Sequence, residues 1–248
     1  MEITSVSNEL VKETAKLQQK KYRDESGEFL IEGYKSVEEW RNNGFAFKRI
    51  FVLKEKASKY SFLGNDLIIT NSAVLKKISS TATAPEIVGV AEKIKFDEKI
   101  LKSAKKVLLL EGIKDAGNFG TILRSAAAFG VNAVILYGDC IDIYNPKCIR
   151  SAVGNFGKIS VFEMNKIKEL DKYFSGFERV ATLPRSKNLL KNFKFKIPVL
   201  LMFGSEADGL SDELINYSTN SVKIEMADNV ESLNLSVSCA VVMYEMMN

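Results

Sequence analysis

Five side chains in three short stretches have the types that polar chemistry uses. Asn118 and Arg124 lie in KDAGNFGTILRSAAAFG, Glu206 in FGSEADGLS, and Ser232 and Asn234 in ADNVESLN. An arginine near the start of a helix recognises phosphate or another anion through its planar fork of donors. Gly117 and Gly120, on either side of Asn118, let the backbone bend and approach a ligand closely. A surface turn followed by a solvated arginine explains the same stretch, so alone it carries little weight. In the second stretch Gly204 and Gly209 bracket Glu206 and Asp208. A helix cap accounts for Ser211 there, but not for two glycines around a carboxylate. In the third stretch a cap accounts for one of Ser232, Asn234 and Ser236, which leaves an amide and hydroxyls in want of a polar partner. The chain has no histidine. That excludes a Ser-His-Asp hydrolase, a histidine-ligated metal and any imidazole base.

The elements that must position these residues follow from apolar periodicity. From Val107 onward the apolar runs VLLLEGI, NAVILYG, KISVFEM, RVATLP and VLLMFG alternate with helical stretches, and SVKIEM precedes a long C-terminal helix. Nearly continuous apolar strands, each followed by a helix, indicate a parallel sheet covered on both faces. Ligands bind beyond the carboxyl ends of such strands, and the three polar stretches fall there. Arg124 lies off the apolar face made by Ile122, Leu123, Ala126, Ala127 and Phe129, so its guanidinium is expected to swing toward the loop. The C-terminal helix is apolar around most of its circumference, as in a buried helix or one at a subunit interface.

The first third reads as a mixed α/β unit. Glu9 to Lys21 suits one helix, GEFLIEGYKSVEEW a strand and a helix, and KRIFVLKEK a strand. DLIITNSAVLKKIS supplies strand, cap and helix, with Asn71 or Ser72 as the cap, and EIVGVAEK closes the unit. The Lys-rich segment near FDEKILKSAKK reads as a linker. The expected division is residues 1–93, a linker over 94–106, and a second domain over 107–248. The chain has 248 residues, 46% hydrophobic and 27% charged, which suits a globular protein with ample core. No apolar run approaches the roughly 20 residues of a membrane span, and the N-terminus lacks the pattern of a secretory signal. The three cysteines, Cys140, Cys148 and Cys239, have no metal-ligand spacing; Cys140 and Cys148 could form a disulfide, but without an export signal reduced packing thiols are the expectation. A cytoplasmic location is expected. The net charge of +4 permits an acidic partner such as RNA without demanding one.

Taken together, the three stretches resemble the motifs of the SpoU/TrmH class of SPOUT RNA methyltransferases. KDAGNFGTILRSAAAFG matches the first, Asp-x-x-Asn-x-Gly-x-x-x-Arg-x-Ala-x-x-Phe-Gly, with Ala116 where family members usually have proline. GSEADG matches Gly-x-Glu-x-x-Gly. IEMADNVESLNLS is similar to the third, with Glu225 in place of proline and Asp228 where glycine is common. NPKCIRSAVGNFGKISVF resembles the stretch between the first two motifs. SNELVKETAKLQQKKYRDESGEFLIEGYKSVEE resembles the ribosomal-protein-like, substrate-binding domain found ahead of many members.

The resemblance implies an α/β catalytic domain with a parallel sheet and a C-terminal trefoil knot, working as a homodimer. S-adenosylmethionine is expected against Gly204, Ile224, Met226 and Leu233, and the reaction is methylation of a ribose 2′-hydroxyl in RNA. Ribosomal RNA is the first choice of substrate and transfer RNA the alternative. No membrane and no metal are expected to take part. Asn118, Arg124, Glu206, Ser232 and Asn234 are the catalytic candidates. Arg124 is expected to clamp phosphate and stabilise a developing alkoxide, since a guanidinium with pKa above about 12 is a poor base. The amides are expected to hold the ribose or orient Arg124, and Glu206 to anchor that network or receive the proton. Lys20, Lys21, Arg23, Lys147 and Arg150 are expected on the RNA backbone. Two rivals stand beside this reading: an RNA-binding protein of the same fold without turnover, and a nucleotide-binding α/β enzyme of another class.

Overall fold

In the computed structural model, which describes residues 1–64, 67–152, 155–230 and 232–247, two units separate. Met1–Lys95 with Asp142–Gly157 forms the first, and Phe96–Ile141 with Lys158–Asn248 forms the second. Glu231 of the third loop, and Val153 and Gly154 of the stretch before the second motif, lie outside the described residues.

The first unit begins with α1 (Glu9–Lys16), α2 (Lys20–Ser26), β1 (Glu28–Glu32) and α3 (Tyr34–Asn42). It continues with β2 (Arg49–Leu53), a 3-10 helix (Lys54–Leu63), β3 (Leu67–Thr70), α4 (Ser72–Ile78) and β4 (Ile87–Glu92). The strand order is β1-β4-β2-β3, with β4 antiparallel to both neighbours and β2 parallel to β3. Leu30, Phe51, Ile68, Leu75, Ile78 and Val88 fill its core. Asn71 is the cap of α4, accepting from the Val74 N–H at 3.0 Å. The single helix expected from Glu9 to Lys21 is instead broken between α1 and α2. The cause is local: Leu17 is buried, and its carbonyl accepts from Arg23 Nη1 at 2.7 Å rather than from a further helical N–H.

The second unit opens with α5 (Lys99–Ser103), β5 (Lys106–Glu111), α6 (Ala116–Ala128) and β6 (Ala133–Tyr137). After α7 (Pro146–Ala152), which belongs to the first unit, come β7 (Ser160–Met164), α8 (Ile167–Phe174) and β8 (Glu178–Thr182). The chain ends with a 3-10 turn (Leu190–Asn192), β9 (Val199–Phe203), α9 (Asp212–Tyr217), β10 (Asn220–Val222) and α10 (Leu235–Glu245). Six parallel strands lie in the order β10-β8-β9-β5-β6-β7. Every residue of β6 and of β9 is buried, as continuous apolar runs require in a sheet covered on both faces.

Three expectations are corrected. The linker over 94–106 is partly core, because Leu101 and Ala104 of the α5 region pack under the second sheet. SVKIEM pairs only as far as Val222, apart from an isolated bridge at Lys223, and the residues beyond leave the sheet. The segment Asp142–Gly157, expected in the second domain, packs in the first unit. Two ion pairs hold it there: Arg23 to Asp142 at 2.5 Å, and Arg150 to the buried Glu32. The ring of Tyr144 adds to this, lying 4.9 Å from that of Phe29.

Candidate functional site

Loops leaving β5, β9 and β10 meet in the second unit. Asp115 caps α6, accepting from the Asn118 N–H at 2.8 Å, so Asn118 lies in the first helical turn rather than in a loop. A Cβ on Gly117 would stand 2.9 Å from Asp115 Oδ1, so this glycine serves the cap. The second loop folds tightly on itself. A Cβ on Gly204 would lie 1.9 Å from the Gly209 carbonyl carbon, and Gly209 itself turns at φ +69°. The Gly209 N–H donates to the Ser205 carbonyl at 3.1 Å, and the Asp208 N–H donates to Ser205 Oγ at 3.1 Å. Ser211 caps α9, and its own N–H donates to Glu111 Oε2 at 2.7 Å, tying this loop to the end of β5. Asn234 caps α10: its Oδ1 accepts from Ser236 N at 2.9 Å, Ser236 Oγ at 2.6 Å and Val237 N at 3.4 Å.

One chain of amides joins the three loops. Asn234 Nδ2 donates to Asn118 Oδ1 at 3.0 Å, and Asn118 Nδ2 donates to Glu206 Oε1 at 2.5 Å. The polarity is fixed at both ends. A carboxylate only accepts, so Asn118 must turn its NH2 to Glu206. The capping carbonyl of Asn234 faces helix N–H donors, so its NH2 must turn to Asn118. Four catalytic candidates thus gather, since Ser232 lines the cavity beside Glu206 and Asn234.

That cavity has a volume of about 610 Å³, and Gly204, Ile224, Met226 and Leu233 all line it. Its walls mix apolar side chains, Leu183, Ile224, Leu233 and Leu235, with two carboxylates, Glu206 and Asp208. Sequence reasoning missed Thr182, Leu183, Arg185 and Lys223, which also line it. The signal was present: TLPRSK is a fourth polar stretch at a strand's carboxyl end, but it contains no recognisable chemical motif. Thr182 Oγ1 is buried with no hydrogen-bond partner among the described residues. Beneath the site, burial pushes the Cys239 thiol well up, and the Glu206 carboxylate adds to the effect. Cys239 is therefore a protonated packing group and not a nucleophile.

Arg124 is the exception. Its side chain is exposed on α6, outside the cavity lining, and no ion pair or hydrogen bond holds it among the described residues. Six residues separate it from Asn118, which turns it about 120° away around the helix. The expected swing toward its own loop does not occur. Val237, Val241 and Tyr244 of α10, with Met247 beyond its C-terminal end, form an exposed apolar stripe, and the Tyr244 ring packs 5.9 Å from that of Phe129.

Among the expected RNA contacts, Lys20, Lys21 and Lys147 are exposed. Arg23 is corrected. The Arg23 side chain is 2% exposed, its donors spent on Asp142 and the Leu17 carbonyl. Arg150 pairs with Glu32 and donates to Ser80 Oγ at 2.8 Å. Arg23, with its donors spent inside the fold, is not free for phosphate, whereas Arg150 commits only Nη1 and keeps 31% of its side chain exposed.

Known proteins share this architecture. The SpoU rRNA Methylase family matches residues 105–244, and the MRM3-like substrate binding domain matches residues 8–89. An uncharacterized tRNA/rRNA methyltransferase of Synechocystis sp. is 32% identical over 252 residues, covering 98% of this chain and 92% of its own. The 23S rRNA (guanosine(2553)-2'-O)-methyltransferase RlmP of Bacillus subtilis is 29% identical over 247 residues, covering 99% of this chain and 98% of its own. The crystal structure of an AdoMet-bound rRNA methyltransferase from Sinorhizobium meliloti aligns with a TM-score of 0.87 at 26% identity, over 99% of this chain and 97% of that one.

Proposed function

The chain belongs to the SpoU rRNA methylase family, and we propose that it transfers a methyl group from S-adenosylmethionine to a ribose 2′-hydroxyl of ribosomal RNA, with Asn118, Glu206, Ser232 and Asn234 as the acceptor side of the site. The observation that carries this reading is the amide chain from Asn234 through Asn118 to Glu206, at the mouth of the 610 Å³ cavity. The cavity suits the cofactor. Leu183, Ile224 and Leu233 offer apolar surface to an adenine ring, Glu206, Asp208, Arg185 and Lys223 offer both signs of charge to a zwitterionic cofactor, and the buried hydroxyl of Thr182 lacks a partner among the described residues. Gly204, Ile224, Met226 and Leu233 are the residues that would hold it. S-adenosylmethionine supplies a methyl group already activated on sulfur.

The protein's task is therefore positioning and proton removal. Holding two reactants in line is worth about 7–11 kcal/mol of a barrier. The 2′-hydroxyl, the group that distinguishes RNA from DNA, is a poor nucleophile while protonated. Asn118 and Asn234 orient the ribose, and Glu206 anchors them or receives the proton that must leave. Arg124 faces away from its own cavity, so a second copy of the chain supplies it. The exposed stripe on α10 is the surface on which such a homodimer forms, and the C-terminal segment carries the trefoil knot of the family. In the dimer Arg124 clamps phosphate and stabilises the developing alkoxide. Exposed Lys20, Lys21 and Lys147 contact the RNA backbone. Ribosomal RNA as substrate puts the enzyme in the cytoplasm.

The test is transfer of a tritiated methyl group from S-adenosylmethionine to ribosomal and transfer RNA in separate reactions, with the product mapped by its resistance to alkaline cleavage. Label on a ribose 2′-oxygen of ribosomal RNA is expected. Binding of S-adenosylhomocysteine without any transfer would refute the enzymatic reading and leave an RNA-binding protein.

A further inference from the structure

A second concavity, of about 630 Å³, lies on the first unit between α1 and α4. Lys12, Lys76 and Lys77 line it with Ser7, Gln18 and Ser79, and none of its lining residues is acidic. The two helices are fastened at its floor, where Gln18 Nε2 donates to the Lys77 carbonyl at 2.9 Å. The three ammonium groups are differently engaged. Lys76 is bonded to the Thr81 carbonyl at 2.9 Å and to the Ala82 carbonyl, so it shapes the following loop. Lys77 has no ion pair among the described residues. Lys12 stands 3.8 Å from Glu9, with 51% and 78% of the two side chains exposed, which is a weak, water-screened contact. The dipole of α4 favours Lys76 and Lys77 in its last turn, but it does not account for Lys12 on a different helix.

We propose that this groove is the phosphate-contact surface by which the first unit grips RNA, through Lys12 and Lys77, with the Ser7 hydroxyl beside them. The proposal rests on RNA being the substrate, and it replaces Arg23, whose charge is consumed by Asp142. The arrangement fits a nucleic-acid backbone rather than a base. It offers cations and a hydroxyl at an open surface, and no aromatic ring lines it on which a base could stack.

Neutralising a phosphate releases counterions, so each contact adds about 0.7–0.9 to the slope of log affinity against log salt. The experiment uses the full chain and a 23S ribosomal RNA transcript, with binding measured at four salt concentrations. The double variant Lys12→Gln, Lys77→Gln is expected to flatten the slope by about 1.4–1.8. Its affinity for S-adenosylhomocysteine and its melting temperature are expected to stay at wild-type values. The charge-matched control is Lys48→Gln, Lys54→Gln, two exposed lysines of the same unit that already pair with carboxylates. It is expected to leave the slope within about 0.5 of wild type. An unchanged slope in the groove variant, or an equal fall in the control, overturns the proposal. If the wild-type protein transferred no methyl group, the enzymatic reading would fall, while the slopes, read by binding alone, would still decide the groove.

Discussion

Replacing Gly204 with alanine tests whether the second loop must be closed for the site to exist. The added methyl would lie 1.9 Å from the Gly209 carbonyl carbon, 2.1 Å from its oxygen and 2.1 Å from the Leu210 nitrogen. Carbon atoms rest about 3.5 Å apart, so the Gly209–Leu210 backbone has to retreat by roughly 1.6 Å. That opens the turn closed by the Gly209 N–H on the Ser205 carbonyl, within which Glu206 is carried. Glu206 then leaves its 2.5 Å contact with Asn118, and the cavity wall moves with it. Overpacking of this kind costs about 1–3 kcal/mol. Because the loop is exposed from Glu206 to Gly209, the cost falls on the closed form of the site more than on the core. Calorimetric titration with S-adenosylhomocysteine should show affinity weakened roughly 5- to 140-fold, at about 1.4 kcal/mol per tenfold. Gly176→Ala is the control, since nothing lies within 4 Å of its would-be Cβ, and it should bind as wild type. Wild-type affinity in the Gly204 variant would refute the argument, because the loop would then have room that the geometry denies it.

Asn118→Ala removes the donor to Glu206 and the acceptor for Asn234 together. A hydrogen bond to a charged group is worth about 1.5–3 kcal/mol, so single-turnover methyl transfer should fall roughly 10- to 100-fold while cofactor affinity changes by less than about threefold. Equal losses in both would contradict the division of labour proposed for the site. Arg23→Ala leaves Asp142 without its partner in a largely buried setting. Breaking such a pair costs about 3–5 kcal/mol, so thermal melting of the first unit should begin roughly 6–20 °C lower. An unshifted melting curve would show that the pair does not hold the Asp142–Gly157 segment. Burial, with the Asp171 carboxylate adding to it, pushes the Tyr217 hydroxyl up to about 12, and burial with the bond to Glu213 raises Tyr137 as well. An unfolded tyrosine ionises near pH 10, so the stability these hydroxyls contribute is fully present below that pH and is lost as pH rises through the folded values. Denaturant midpoints should therefore drop between about pH 10 and pH 12, and a constant midpoint would count against the assignment.

The sheet of the second unit was legible because parallel strands buried on both faces must be apolar throughout, and no surface helix shares that pattern. The three polar stretches were legible for the same reason, as breaks at the ends of those runs. What escaped reading depends on particular bonding partners, one near in sequence and two distant. Asn118 reads as a loop residue because glycines flank it, yet the Asp115 carboxylate caps the chain into a helix one turn earlier. Arg23 reads as a surface cation beside Lys20 and Lys21, yet its partner Asp142 lies 119 residues away. Arg150 reads in the same way, and its partner Glu32 is 118 residues distant.

Arg124 is different, because its displacement was contained in the sequence. Six helical positions from Asn118 amount to about 600°, which leaves the two side chains about 120° apart. A swing of the long Arg124 side chain would be needed to close that gap. In one chain it does not, since the backbone hydrogen bonds of α6 begin at the Asp115 cap and hold Asn118 and Arg124 in a common rigid frame. A residue so oriented, charged and without a partner among the described residues either serves no purpose or serves a cavity belonging to another molecule. The exposed apolar stripe of α10, packed beside α6, makes the second alternative the economical one. The same helix that presents the amide inward thereby presents the guanidinium outward, where the dimer proposed above would bring a second copy.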